Sequence, residues 1–233
     1  MAVILNIETS GATCSAALTA EGMVVTHREE FNSRNHASML SAFIKDCLDY
    51  AADHNIKPEA IAVSMGPGSY TGLRIGLSEA KGLAYALDIP LIGINTLELL
   101  ATRVMFSSDD VAPDSIFVPM IDARRMEVYT AAYDFALESI MPPTPLIIDD
   151  NAYAEIKNLH RPILYFGSGA EKARTFFDDV AEAKFVPEVD PLAVDMIALA
   201  ERDFALRRFI DTAYSTPFYL KDFQATQPKN KVL

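Results

Sequence analysis

The two halves of this chain carry the same pattern. In the first, Val3 to Glu8 is an apolar run that ends on an acid, and after a polar turn Cys14 to Leu18 passes through Ala16 and Ala17. In the second, Phe117 to Asp122 again ends on an acid, and Val128 to Tyr133 passes through Ala131 and Ala132. Each pair reads as two strands joined by a short turn. Each half then offers a further strand, a glycine-bearing loop and a helix. These are Ile61 to Met65 with Gly66 to Gly72, and Ile163 to Phe166 with Gly167 to Gly169. Such a chain is expected to fold as two copies of one α/β unit, each a mixed sheet flanked by helices. The boundary falls in the polar, Pro-containing stretch Ser107 to Asp114, giving a first lobe of residues 1–108 and a reduced second lobe of 109–233. The last helix, read over Leu192 to Phe209, is expected to pack back on the first lobe.

Other elements follow from periodicity. Met23 to Glu30 completes a meander of three strands. Met39, Leu40, Phe43, Ile44, Cys47, Leu48 and Ala51 recur at helical spacing, with a start capped near Asn32 or Asn35. Pro90 to Ile94 reads as a strand, and Thr96 opens a helix. Met141 to Pro145 is too rich in proline for a central strand. The tail from Gln224 reads as loose.

The loop of Gly66, Pro67, Gly68, Ser69, Tyr70, Thr71 and Gly72 is the most specific local signal. Its third glycine comes one residue late for a dinucleotide fingerprint, and no Gly-Lys-Ser/Thr follows as in a phosphate-binding P-loop. Gly66 and Gly68 permit φ > 0 or close backbone approach, Pro67 stiffens the turn, and Thr71 is the expected cap of the next helix. Two readings stay open: a helix start that binds an anion, or a tight turn with no ligand. Along that helix Gly72, Gly76, Ala80 and Ala84 recur every four residues. A ridge of small side chains calls for another backbone packed close, from this chain or another.

Charge and residue inventory exclude several functions. Thirty-two Asp and Glu against twenty Lys and Arg leave a net charge of −12, which repels a phosphate backbone. The two cysteines, Cys14 and Cys47, lie in apolar stretches and read as packed thiols. With four histidines and no HExxH, HxxxH or GxSxG motif, hydrolytic and metal chemistry find no support, and no catalytic residue or metal ligand is expected. Glu8 and Asp122 end strands and can simply cap turns. Arg124 and Arg125 read as solvated or partner-facing. The run Val3 to Ile7 lacks a preceding basic residue and breaks at Glu8, so it is not a signal peptide. No apolar stretch approaches the roughly 18 residues of a membrane span, and a cytoplasmic location is expected.

Several stretches together resemble the bacterial TsaB family, also called YeaZ. They are Ile4 to Ser10, Ile61 to Gly76, Ala80 to Ala86, Pro90 to Asn95 and Ile121 to Tyr129, dense over residues 3–130 and thinner beyond. The resemblance implies an actin-like, ribonuclease H-like duplicated fold. It also implies a non-catalytic part in making N6-threonylcarbamoyladenosine in tRNAs that read ANN codons. The transfer from threonylcarbamoyl-AMP would be performed by a sister protein, TsaD, with the small ATPase TsaE joining the complex. In the sister family the segment matching Pro90 to Leu100 carries a metal-binding HxxxH pair. Here those positions hold Thr96 and Leu100, so the metal site is absent. Glu8 stands where the family more often has Asp, which weakens any claim to nucleotide binding.

On this reading the partner surface comprises His36, Met39, Leu40 and Phe43 on one helix and Gly72, Gly76, Leu77 and Ala80 on the next. No cofactor is expected, tRNA is met mainly through the partners, and the isolated chain pairs with itself through the same surface. The rival reading is a phosphotransferase of the same fold, binding ATP between the lobes with Glu8 or Asp122 on magnesium.

Overall fold

The computed structural model describes residues 2–31, 36–107, 111–178 and 180–221. Five strands form the first sheet: β1 (Val3–Glu8), β2 (Cys14–Ala20), β3 (Met23–Glu30), β4 (Ala60–Gly66) and β5 (Leu91–Asn95). Five more form the second: β6 (Ile116–Asp122), β7 (Glu127–Tyr133), β8 (Ser139–Ile147), β9 (Ile163–Phe166) and β10 (Ala183–Val186). The strand orders are β3-β2-β1-β4-β5 and β8-β7-β6-β9-β10. In both sheets the first three strands run as an antiparallel meander, and the last two add in parallel beside the first. The two halves therefore share one topology, that of a duplicated actin-like, ribonuclease H-like α/β fold.

Parallel strands need crossover helices, and these supply the layers. Between β3 and β4 lies α1 (His36–Asp53), and between β4 and β5 lies α2 (Tyr70–Leu87). Strand alternation sends Leu5, Ile7, Ile61, Val63 and Leu91 to one face, where they meet Leu40, Ile44 and Cys47 of α1 and Leu77, Ala80 and Ala84 of α2. The opposite face carries Ile4, Ala60, Ala62, Ile92 and Ile94. It is covered by α3 (Thr96–Ser107) and by α6 (Ile197–Ala205) with a 3-10 turn over Ala193–Met196 before it, through Leu99, Met196, Leu199 and Ala200. Helix α3 also packs on the second sheet, where Leu97, Leu100, Ala101 and Val104 meet Phe117, Ala131, Tyr133, Leu164 and Phe166. The far face of that sheet is closed by α5 (Ala170–Phe177) and by the segment of Ile148 to Ile156, which ends in the short α4 (Ala154–Lys157).

Three boundaries differ from the expectation. The stretch read as one helix over Leu192 to Phe209 is a 3-10 turn followed by α6, which stops at Ala205. The cap of α2 is Ser69, not Thr71: Ser69 Oγ accepts from Gly72 N at 3.2 Å, while Thr71 is already helical. Strand β10 went unread, because Ala183 to Val186 is short and follows no recognisable turn. Met141 to Pro145 lies within β8, which is an edge strand rather than a central one, the position at which proline is tolerated. The expected caps Asn32 and Asn35, and the tail from Gln224, lie outside the described residues.

After α6 the chain crosses back over the first sheet as a strap. Ile210 N donates to Leu91 O on β5, Phe218 N donates to Met65 O, and Lys81 Nζ donates to Ala213 O and Ser215 O. The free side of β5 is thereby covered.

Candidate functional site

The loop of Gly66 to Gly72 docks on the turn that leaves β1. Ser69 N donates to Ser10 O at 2.7 Å, and Thr9 Oγ1 donates to Gly72 O at 2.8 Å. The ridge on α2 is what lets the backbones approach so closely. A Cβ at Gly72 would lie 2.0 Å from Thr9 O, and one at Gly76 would lie 2.3 Å from Thr9 Oγ1. The amides of Ser69, Gly72 and Leu73 are all bonded within the chain, to Ser10 O, Ser69 Oγ and Ser69 O. The anion-binding reading of this loop thus loses those donors, and the close packing on Thr9 and Ser10 gives Ser69 and Gly72 a structural role.

Most of the expected partner surface is packed inside this chain. Leu40, Leu77, Gly72, Gly76 and Ala80 are buried in the chain itself, with the glycines on Thr9 and the others in the core beneath α1 and α2. Met39 and Phe43 are half-buried, and Phe43 packs on that same core. The side chain of His36 lies outside the described residues. The period of four identified a face that needs a close neighbour, and the neighbour is Thr9.

The outward faces of α1 and α2 instead form an open groove of about 780 Å³. Tyr70, Arg74, Ile75, Ser78 and Gly82 line it from α2, and Ala37 lines it from α1. Ser41 Oγ donates to Glu79 Oε1 at 2.6 Å and bridges the two helices. At one end of the groove the Arg74 guanidinium lies 4.1 Å over the Tyr70 ring, and Arg74 Nε donates to Tyr219 Oη of the strap at 3.1 Å. Gly82 is unlike the other glycines of α2, because a Cβ there would meet nothing within 4 Å. An interior helical glycine costs about 1 kcal/mol relative to Ala, and nothing inside this chain requires it. The sequence signal for the groove was present but unused: it is the polar and small face opposite the ridge.

The second site of interest is where β1 ends. Glu8 is fully buried, its Oε1 accepting from Ser10 N, and burial pushes the carboxyl up to about 7. Glu8 Oε2, Ser10 Oγ and Thr13 Oγ1 have no hydrogen-bond partner among the described residues. The cover over this turn comes from the segment before α6. Pro191 Cγ would lie 3.2 Å from a Cβ at Gly11, Ala193 N donates to Ser15 Oγ at 3.0 Å, and Asp195 pairs with Arg103 of α3 at 2.8 Å. Asp122, the equivalent acid of the second half, is half-exposed and pairs with Lys172 of α5.

Among the described residues no three His, Cys, Asp or Glu gather as a metal site. Thr96 and Leu100 are both buried, Leu100 in the core between α3 and the second sheet. Cys14 and Cys47 are buried in the first core, and burial pushes both thiols up to about 11, out of the reactive range. Among the described residues no helix is long and apolar enough to cross a membrane.

Comparison with known proteins gives a consistent picture. A family model described as TsaD, tRNA N6-adenosine threonylcarbamoyltransferase, matches residues 25–184. The tRNA threonylcarbamoyladenosine biosynthesis protein TsaB of Bacillus subtilis is 34% identical over 188 residues, covering 78% of this chain and 77% of the relative. The protein of the same name from Escherichia coli is 27% identical over 227 residues, covering 94% of each. Among solved structures, YeaZ from Pseudomonas aeruginosa superposes with a TM-score of 0.79 at 27% identity, over 94% of this chain and all of the other.

Proposed function

We propose that this chain, which belongs to the TsaB (YeaZ) family, is a docking subunit for the formation of N6-threonylcarbamoyladenosine in tRNA. It holds a TsaD-like sister protein on the groove between α1 and α2, and it contributes no catalytic residue. The sister performs the transfer from threonylcarbamoyl-AMP, and a TsaE-like ATPase joins the assembly. The chain consists of two lobes, residues 1–108 and 109–233, and the first of them carries the docking surface.

The observation that carries this reading is Gly82. It leaves open space in a groove whose lining mixes the polar Thr71, Ser78 and Glu79 with Tyr70, Arg74, Ile75 and Leu83, and Tyr and Arg are residue types enriched at interfaces. A glycine in a helix interior, against helix propensity and with nothing of its own chain above it, fits a surface on which a partner's backbone sits close. The match of the sister family's own model to this chain supports a shared fold. Two proteins of one fold can pair through equivalent faces, and a second copy of this chain can take the sister's place when it is absent.

The surroundings of Glu8 support the non-catalytic part. The phosphotransferase reading asks Glu8 or Asp122 to hold magnesium between the lobes. Glu8 lies fully buried with its Oε1 accepting from Ser10 N, and Asp122 is engaged by Lys172.

The test places bulk in the groove without touching the core. Gly82→Arg adds a side chain where a Cβ meets no atom, so the chain is expected to fold with undiminished thermal stability. Co-purification with a co-expressed TsaD-like sister is expected to be lost. A complex that survives the substitution would remove the groove from consideration.

A further inference from the structure

The turn between β6 and β7 is a place where this acid-rich chain is locally basic. Arg124 and Arg125 follow one another with φ of 68° and 49°, and both are exposed. Non-glycine residues enter this left-handed region at a cost of roughly 1 kcal/mol each. The turn is held in place by hydrogen bonds among its own residues. Arg124 N donates to Asp122 Oδ1 at 2.6 Å, Ala123 N donates to Glu127 O at 3.1 Å, and Glu127 N donates to Arg124 O at 3.2 Å.

The carboxylates flanking the turn are already occupied. Lys172 of α5 pairs with Asp122 and donates to Glu127 O at 3.2 Å, while Lys221 at the end of the strap pairs with Glu127. Four cations thus meet two carboxylates, a local excess of two positive charges on a chain whose net charge is −12. Neither guanidinium is paired with a carboxylate among the described residues. In a chain with more acids than bases, unpaired adjacent arginines on a fixed turn are the less expected arrangement. The two lysines keep them so.

We propose that this turn is a direct contact for the phosphodiester backbone of the RNA substrate, with Arg124 and Arg125 on phosphate oxygens. Guanidinium forks match phosphate geometry in two parallel hydrogen bonds. Such contacts position a nucleic acid without reading its sequence. The acidic remainder of the chain repels the RNA elsewhere, so the turn acts as a register point beside the basic surfaces of the partners. The inference rests on the reading that the chain serves tRNA modification, but not on the groove.

The test uses the complex of the full chain with its TsaD-like sister, titrated with an unmodified tRNA transcript over a series of salt concentrations. Arg124→Asn with Arg125→Asn removes both charges and retains residues that tolerate the left-handed region. The expected result is weaker tRNA binding, a salt dependence shallower by about one unit of log–log slope for each arginine, and unchanged co-purification with the sister. Arg124→Lys with Arg125→Lys restores the slope. Unchanged affinity and slope in the Asn variant would overturn the proposal. Loss of sister binding in that variant would also overturn it, marking the turn as a protein contact. If tRNA modification proceeds without this chain at all, the proposed function fails, whereas the arginine proposal is judged on the binding data alone.

Discussion

Glu8 illustrates how a single residue can be visible in the sequence and yet carry an unseen property. Its place at the end of β1 was legible, because an apolar run stops there. Its burial was not, since the turn that follows it meets Pro191 at Gly11 and Ser15 beside it accepts from Ala193 N, contacts with residues distant in sequence. That burial has a measurable consequence. The folded chain holds the Glu8 proton more tightly than the unfolded chain does, with the carboxyl raised from 4.5 to about 7. The resulting stability is complete below about 4.5 and is lost as the pH rises through about 7. The loss amounts to about 3 kcal/mol at the raised value. Glu8→Gln keeps an acceptor for Ser10 N and removes the titration. Denaturant unfolding at pH 4 and pH 8 is expected to show the variant equal to the parent at the lower pH and more stable at the higher. Parallel pH profiles for the two proteins would rule out this account of Glu8.

At the scale of the element, helix α2 has two faces with opposite demands on glycine. Gly72 and Gly76 are pressed on Thr9, and Gly82 is open. Gly76→Ala would bring a methyl group to 2.3 Å from Thr9 Oγ1, and overpacking of this kind costs about 1–3 kcal/mol. Gly82→Ala should stabilise the helix by up to about 1 kcal/mol. Thermal unfolding is therefore expected to move down for the first variant and up for the second. Equal shifts would mean that the two faces had been assigned wrongly. The ridge itself was readable from spacing alone, but spacing does not say what covers a face. Thr9 is distant in sequence, so the sequence reading turned the ridge toward a partner. Helix ends were misread for a related reason. The long apolar pattern after Leu192 contains a 3-10 turn because that segment follows the β1–β2 turn before α6 can start.

For the whole molecule, the duplication was the most legible feature. The repeated acid-ended strand and Ala-Ala strand correspond to β1 with β2 and to β6 with β7, and both sheets share one strand order. What the repeat could not reveal is that α3 serves both sheets, joining the cores through Leu97, Leu99 and Leu100. The position that carries Leu100 is filled with an apolar side chain in the middle of that junction. Among the described residues Glu8 is fully buried, with its Oε1 on Ser10 N. The net charge of −12 is consistent with the proposal that tRNA is met mainly by partners and by one basic turn. The central claim is that modification of tRNA by the sister enzyme depends on this chain. The most direct test is a reconstituted reaction containing the TsaD-like sister, a TsaE-like ATPase, threonylcarbamoyl-AMP and unmodified tRNA, run with and without the chain. The account predicts N6-threonylcarbamoyladenosine only when the chain is present, and its loss when Gly82→Arg replaces the parent. Full modification in the absence of the chain would contradict it.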